Sequence, residues 1–337
     1  MLKKYSELCQ ERVLLKDTVP LETPFALHIE PTNWCNFKCT FCPRNNDDFI
    51  NYVGSFCHMD LKLFSKILNE AKQFPEKIKV IRLYYLGEPL MHPNFIPMLK
   101  MLIAADITER IEISTNASLL TKELTEKILN VTQNFNGLLY MRYSIYSVIP
   151  SKNKKITKSF ISPEIIYSNI ANFQQRRNAL KVKNVITYAK MLDSYDDENI
   201  KFLNLYNKIV DEAMIEQPHN WDSEDKRNLL ADVYSSEQIE QINSLKMPKV
   251  CSFLFTTMCV LSDGTVVSCC IDWSRKNVIG NVLKNSLKEI WNGEKLKNLR
   301  LLHVKGQRSM LSACKYCKRL PCHPEDCLDD ITAEILE

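Results

Sequence analysis

Between about residues 25 and 215, short apolar runs alternate six times with stretches of helical period, and this rhythm limits the fold of the 337-residue chain more than any other feature. Residues 25–29 precede a helix expected from Asp60, a residue suited to cap it, to Phe74, with Leu61, Phe64, Ile67 and Leu68 on one face. Residues 80–86, 111–115, 138–145 and 185–191 read as further strands, each followed by a helix, at 95–105, 121–130, 163–179 and 199–209. A last short strand falls at 212–215. Strands spaced by helices in this way pair in parallel through crossover connections. The period does not say whether the sheet closes. A polar connection at 216–250, with one helix near 237–245, leads into a region of different rhythm. There residues 255–261 and 265–268 flank the hairpin signal Asp263-Gly264, and short helices follow at 287–291 and 294–302.

With 45 % hydrophobic residues the chain can bury a full core. No stretch reaches membrane-spanning length, and the opening Met-Leu-Lys-Lys-Tyr-Ser-Glu lacks the apolar segment of a secretion signal, so a cytoplasmic protein is expected. Thirteen cysteines without an export signal point to metal-bound thiolates rather than disulfides. The formal charge of +4 is modest and its signs are mixed, so neither nucleic acid nor membrane is an expected partner. One local excess, Lys152, Lys154, Lys155 and Lys158, reads as a solvated loop.

Directly after the first strand come Cys35, Cys39 and Cys42, in Asn-Trp-Cys-Asn-Phe-Lys-Cys-Thr-Phe-Cys-Pro-Arg. Three thiolates so close can hold three irons of a [4Fe-4S] cube and leave the fourth open to an exogenous chelate. A zinc knot is the other reading, but zinc takes four protein ligands, and no cysteine or histidine follows Cys42 before Cys57 and His58. The C-x3-C-x2-C pattern, with Phe41 before its last cysteine, resembles the hallmark of the radical S-adenosylmethionine superfamily. The resemblance implies an open, partial (β/α)6 TIM-type barrel over 25–215, preceded by an N-terminal extension at 1–24. Chemistry in such barrels gathers at the C-terminal ends of the strands, where this cysteine loop lies.

The resemblance also assigns S-adenosylmethionine contacts. Gly87 and Glu88, in Leu86-Gly87-Glu88-Pro89, match the segment that lies against the ligand's amino group: glycine lets backbone come close and the carboxylate can accept from an ammonium. Gly-Glu-Pro is also an ordinary loop. Ser114, Thr115 and Asn116 resemble the segment near the ribose and carboxylate, and they read equally as a loop entering the helix capped by Thr121. On the fourth strand Ser144 matches a ligand-contacting position, although the family's Ser-x-Asp is here Ser144-Ile145-Tyr146. Arg142 can pair with a carboxylate in bidentate fashion or face outward.

Cys251, Cys269, Cys314 and Cys317, with Gly264 between the first two and Ile279-Gly280-Asn281 and Glu289-Ile290-Trp291 between the later ones, resemble the SPASM domain, or a twitch-like form of it. That implies a small cysteine-rich α+β module over 251–337 and at least one auxiliary [4Fe-4S] cluster on those four cysteines. The full pattern is altered: His323 stands where a cysteine is expected, Cys322 comes one place early, and no cysteine follows Cys327. A second cluster drawing on Cys259, Cys270, Cys322 and Cys327 stays open. So does a zinc site at Cys314, Cys317, Cys322 and Cys327. Cys57 is a candidate hydrogen-atom donor, as in the superfamily's epimerases; like Cys9, it reads otherwise as a small buried apolar residue.

Such an enzyme cleaves S-adenosylmethionine reductively, and the 5'-deoxyadenosyl radical takes a hydrogen atom from an unactivated carbon. The auxiliary cluster aids either oxidation or epimerisation, and a flavodoxin or ferredoxin-type reductant is implied. About 24 residues before the first strand are too few for a leader-recognition domain, which favours a small polar, sugar-derived substrate over a peptide or protein side chain. The reading from another class is a non-catalytic zinc or iron-sulfur electron-transfer protein.

Overall fold

The computed structural model describes residues 13–218, 230–231, 233–244, 248–317 and 324–336. In chain order its main elements are β1 (Ala26–Ile29), α1 (Phe49–Val53), α2 (Leu61–Ala71), β2 (Val80–Arg82), α3 (Phe95–Ala105), β3 (Arg110–Thr115) and α4 (Lys122–Thr132). β4 (Leu138–Ile145), α5 (Pro150–Thr157), α6 (Pro163–Ala179), β5 (Val185–Leu192), α7 (Glu198–Tyr206) and β6 (Glu212–Glu216) complete the alternating region. After α8 (Ser236–Asn243) come α9 (Phe253–Thr256), β7 (Thr257–Val260), β8 (Thr265–Val267), β9 (Val278–Asn281), α10 (Leu287–Trp291) and α11 (Glu294–Val304).

β1 to β6 lie side by side in chain order, all parallel, and β6 does not return to β1. The alternation foretold the parallel pairing, and the open, partial barrel is the one the family resemblance implies. On β1's other side the sheet continues: β7 pairs with β1 in parallel, and β8 and β9 extend it as an antiparallel meander, giving nine strands in one sheet. The C-terminal region thus begins inside the sheet, with no break at the polar connection.

Period two divides the barrel strands cleanly. Ile111, Ile113, Leu139, Met141, Val185 and Ala189 point to the helices and pack with Phe64, Leu99, Ile128, Ile170 and Phe202 in one apolar core. Their even-numbered neighbours, His28, Arg82, Glu112, Ser114, Arg142, Tyr188 and Lys190, line the opposite, interior face. The caps form as the residue types require: the Asp60 side chain accepts from Lys62 N–H and Thr121 from Leu124 N–H.

Three expectations need correction. The second strand stops at Arg82 rather than Leu86; Leu83 N–H still reaches Glu112 O at 2.9 Å, and the chain then turns towards Gly87. The lysine-rich segment is α5 rather than a loop. Pro150 starts it, Ile156 and Thr157 are buried, and Lys152 pairs with Glu198 at 2.7 Å and Asp196 at 3.4 Å. Residues 255 and 256 belong to α9, so the seventh strand begins at Thr257. Among the described residues no helix is long and apolar enough to cross a membrane.

Candidate cluster and cofactor site

The Cys35–Cys42 loop leaves β1 and is fixed from three sides. The end of α5 braces it, with Lys38 N–H donating to Thr157 O and Thr40 N–H to Ile156 O, both at 2.9 Å. Arg44, two residues past Cys42, turns back and donates to the carbonyls of Asn33 (2.9 Å), Phe37 (3.3 Å) and Cys35 (3.2 Å). Asn36 Nδ2 donates to Ser118 Oγ at 2.8 Å and its Oδ1 accepts from Asn116 Nδ2 at 2.9 Å, joining the loop to the end of β3. Tyr146 lies against Phe37 and Phe41, with ring centroids 5.9 and 5.8 Å away. A tyrosine where the superfamily commonly has aspartate therefore packs on the cysteine loop.

Burial drives these thiols towards the protonated form. It pushes Cys35 up to about 12, with the charge of Glu88 adding to it. Cys39 is pushed well above the ordinary thiol range by burial and then by Cys42 and Cys35. Buried donors that repel one another need a cation among them to ionise, and an iron-sulfur core meets that need. Phe37 N–H already points at Cys35 Sγ at 3.4 Å, the kind of bond that tunes a bound cluster.

Gly87 sits where a Cβ would overlap Thr32 O and lie 2.7 Å from Trp34 O. The close approach it permits within the chain is to the backbone just before Cys35. Glu88 N–H then donates to Trp34 O at 2.7 Å. The Glu88 carboxylate points inward: Oε1 accepts from Thr115 Oγ1 (2.7 Å) and Leu90 N–H (3.1 Å), and Oε2 from Asn116 N–H (2.8 Å). Burial pushes it up to about 7 against the pull of those donors. Glu88, Thr115 and Asn116 thus form a brace behind the cysteine loop.

Ser114 and Ser144 face each other across β3 and β4, Oγ to Oγ 3.5 Å, on the partly open interior face. Arg142 faces inward too. It bonds the Tyr84 hydroxyl, lies 3.3 Å from Glu112 Oε2 and 3.9 Å from Glu216 Oε1, and stacks over Tyr84 and Tyr188. Glu112, fully buried, also meets Arg82 at 3.0 Å and Arg110 at 3.1 Å. Burial pushes Glu112 up, but the guanidiniums of Arg82, Arg142 and Arg110 outweigh it and hold the carboxyl at about 2.

In the C-terminal region Cys251, Cys314 and Cys317 lie within electrostatic range of one another, and Cys269 within range of Cys251 and Cys317. Burial and then the charge of Cys317 push Cys251 up to about 11, and burial followed by Cys251 and Cys317 pushes Cys314 up to about 12. Cys269 is raised first by its bond with Cys270 and then by burial. Arg308 repeats the role of Arg44, donating to the carbonyls of Pro248 (3.1 Å), Cys314 (3.1 Å) and Cys317 (2.7 Å). Asn277 Nδ2 points at Cys314 Sγ at 3.6 Å and Ile271 N–H at Cys269 Sγ at 3.4 Å. Cys259 is fully buried within reach of Cys270, while Cys327 is exposed. Cys9, Cys322 and His323 lie outside the described residues. Sequence reasoning passed over Arg44 and Arg308; the signal for the first was Pro-Arg directly after the third cysteine.

Residues 29–205 match the radical SAM superfamily, over half of the chain. The chain belongs to that superfamily. Residues 251–318 match SPASM, an iron-sulfur cluster-binding domain. As a radical SAM protein with this domain it binds a [4Fe-4S] cluster and S-adenosylmethionine, and auxiliary iron-sulfur in its C-terminal region. It is 29 % identical over 146 residues to the tungsten-containing aldehyde ferredoxin oxidoreductase cofactor-modifying protein of Pyrococcus furiosus, covering 39 % of this chain and 38 % of that protein. To a GTP 3',8-cyclase of Clostridium perfringens it is 29 % identical over 209 residues, 60 % of this chain and 58 % of that one. The chain therefore matches less than two thirds of the length of these curated relatives. Among solved structures, BtrN in complex with AdoMet and 2-DOIA gives a TM-score of 0.57 at 17 % identity, over 90 % of this chain and 96 % of that one. Streptococcus suis SuiB bound to precursor peptide SuiA gives 0.59 at 17 % identity, over 91 % and 74 %. At such identities the likeness shows the fold.

Proposed function

We propose that this radical SAM enzyme takes a hydrogen atom from a small polar, sugar-derived substrate, and that an auxiliary [4Fe-4S] cluster aids its oxidation or epimerisation. The observation that carries the substrate class is the interior face of the barrel. Arg142, Glu112, Glu216, Lys190, Ser114 and Ser144 put charge and hydroxyl groups where an apolar ligand would find no partner, while Lys190 and Glu216 pair at 2.6 Å. A small ligand rich in hydroxyl or amino groups is the chemistry such a wall accepts. The full-length likeness to BtrN, whose structure holds 2-DOIA, supports the same class.

In this reading Cys35, Cys39 and Cys42 hold the first cluster, and Cys251, Cys269, Cys314 and Cys317 the auxiliary one. When bound, the first cluster and S-adenosylmethionine supply hydrogen-atom abstraction from an unactivated carbon. The chain's own part is position: Arg44 and the Gly87-Glu88 brace set the cysteine loop, and Ser114, Ser144 and Arg142 orient the ligand between strands. We assign electron supply to a flavodoxin or ferredoxin-type reductant. The second reading, a peptide or protein side-chain maturase, is favoured by the likeness to SuiB.

Anaerobically reconstituted protein, given S-adenosylmethionine and dithionite, is offered a panel of deuterated aminocyclitols and sugars beside a peptide library, and 5'-deoxyadenosine is followed by mass. Deuterium from a panel compound appearing in 5'-deoxyadenosine supports the proposal. Label arriving only from peptides supports the maturase instead.

A further inference from the structure

Four lysine side chains beside the cysteine loop play no part in fixing it. Lys154 and Lys155 lie in the last turn of α5, Lys158 ends it, and all three are exposed. Lys38, also exposed, precedes Cys39 within the loop itself. Its N–H donates to Thr157 O at 2.9 Å, so the backbone that carries Lys38 runs against the end of the helix that carries the others. Lys152 is already neutralised by Glu198 and Asp196. Among the described residues none of Lys38, Lys154, Lys155 and Lys158 meets a carboxylate.

Phe160 follows two residues after Lys158 and is 89 % exposed. Lys154 Nζ lies 4.5 Å from the centre of its ring. The segment is held in place: Lys158 N–H donates to Lys154 O at 3.0 Å, Thr157 Oγ1 to Asn153 O at 2.8 Å, and Asn153 Nδ2 to Ile161 O at 3.1 Å. Four ammoniums without a counter-charge and one bare aromatic ring thus share this segment and the loop it braces. Like charges gathered in one place repel one another, and a partner of opposite sign offsets that repulsion on contact.

What lies behind this face selects the partner. Thr40 N–H donates to Ile156 O at 2.9 Å, so with the bond from Lys38 the helix is tied to the loop on both sides of Cys39. A protein seated on α5 and Lys38 therefore stands against the loop that holds the first cluster. The reaction needs one visitor there, the donor of an electron. A few charges beside one aromatic ring suit the small, brief encounters of electron carriers.

We propose that Lys38, Lys154, Lys155, Lys158 and Phe160 form the docking face for an acidic one-electron carrier protein, whose carboxylates meet the lysines. The proposal rests on the flavodoxin or ferredoxin-type reductant assigned above and gives it a place on the chain. On contact the carrier is oxidised by one electron, the cluster at Cys35, Cys39 and Cys42 is reduced by it, and no bond or proton moves.

The test is reduction of the cluster-loaded full chain by a reduced flavodoxin and by a reduced plant-type ferredoxin, each of net negative charge. Freeze-quench EPR follows the signal that S-adenosylmethionine shifts, which separates the first cluster from the auxiliary one. The triple variant Lys154→Gln, Lys155→Gln, Lys158→Asn removes three charges, and asparagine suits the left-handed backbone of Lys158, φ 53°. At about 0.01 M salt it is expected to be reduced about tenfold more slowly than the parent, and at about 1 M, where charges are screened within about 3 Å, the gap closes. Phe160→Ser, an uncharged change, is expected to slow reduction at both salts. Melting temperature, iron content and full reduction by dithionite should match the parent. Equal rates for parent and triple variant in low salt overturn the docking face while the reductant class stands. A parent that dithionite reduces and neither carrier does overturns the reductant class, and the face with it. Binding of the parent but not the variant to phosphatidylserine vesicles, with equal reduction rates, assigns the lysines to a lipid surface and overturns the proposal.

Discussion

Replacing Gly87 by alanine puts a methyl group into space filled by the backbone of the cysteine loop. Its carbon would overlap Thr32 O, lie 2.7 Å from Trp34 O and 2.8 Å from the Thr32 carbonyl carbon. Backbone cannot swing aside as a long side chain can, so the loop before Cys35 must retreat by about 1 Å to restore ordinary contact. The 2.7 Å bond from Glu88 N–H to Trp34 O spans that same gap and stretches beyond a useful length. Overpacking of this kind costs about 1–3 kcal/mol, and a buried N–H left without its acceptor about 1–3 kcal/mol more. The opposing gain, a stiffer unfolded chain, is only about 0.4–1 kcal/mol. The net loss is therefore about 1–5 kcal/mol, a fall in melting temperature of roughly 2–8 °C for a chain of this length. Melting is compared at one scan rate, because unfolding of such proteins is often irreversible. Iron is then counted after anaerobic reconstitution, and the variant should lose iron from the Cys35 site while keeping auxiliary iron. An alanine variant with parental melting and full iron would refute the assignment of Gly87 to loop packing.

Other outcomes follow from the charges and clamps. Glu112, held at about 2 against an ordinary 4.5, contributes stability that is present above pH 4.5 and lost as pH falls towards 2. Glu88, pushed to about 7, works in the opposite sense: its contribution is full below pH 4.5 and is lost as pH rises through 7. Each limb amounts to roughly 3 kcal/mol. Urea titrations across pH should show Glu112→Gln flattening the acid limb and Glu88→Gln the neutral one; unchanged profiles would contradict the two environments. Arg44→Gln should lower iron at the Cys35 site alone and Arg308→Gln at the auxiliary site alone, each with about 1.5–3 kcal/mol of lost stability; iron and sulfide analysis beside melting curves would show whether the two losses separate. Arg142→Lys should weaken S-adenosylmethionine binding measured by equilibrium dialysis, and equal affinity would remove Arg142 from the ligand's surroundings.

What was legible in the chain was whatever depends on neighbours in sequence. β4 and β5 stand almost where their apolar alternation puts them, α3 and α6 have the expected bounds, and the Asp60 and Thr121 caps formed. Errors arose where a distant partner decided the outcome. Lys152 and its neighbours read as solvent-facing, yet Glu198, some forty-five residues on, neutralises Lys152 and lets α5 pack beside the cysteine loop. Leu83 to Leu86 have the composition of a strand, but Gly87 must reach the backbone at Thr32 and Trp34, which ends the ladder early. Glu30 gave no signal at all, because its partner Ser262 is 232 positions away. Of the site itself, the cysteines were visible as a pattern and the Pro-Arg after the third of them was a signal for Arg44, while nothing local marked Arg308, one of whose carbonyl partners, Pro248, is 60 positions away.

The union of β1 with β7 bears on how such a protein can be taken apart or inherited. Residues Ala26–Ile29 hold β2 on one side and Thr257–Val260 on the other. Cutting the chain before residue 257 would strip one whole edge of the strand that launches Cys35, and open edges of this kind recruit other chains instead of staying bare. The C-terminal module is therefore no detachable cassette. A gene fusion that grafted a foreign barrel onto it would have to carry β1 across as well, so exchange between lineages should follow the strand seam and not the polar connection at 216–250.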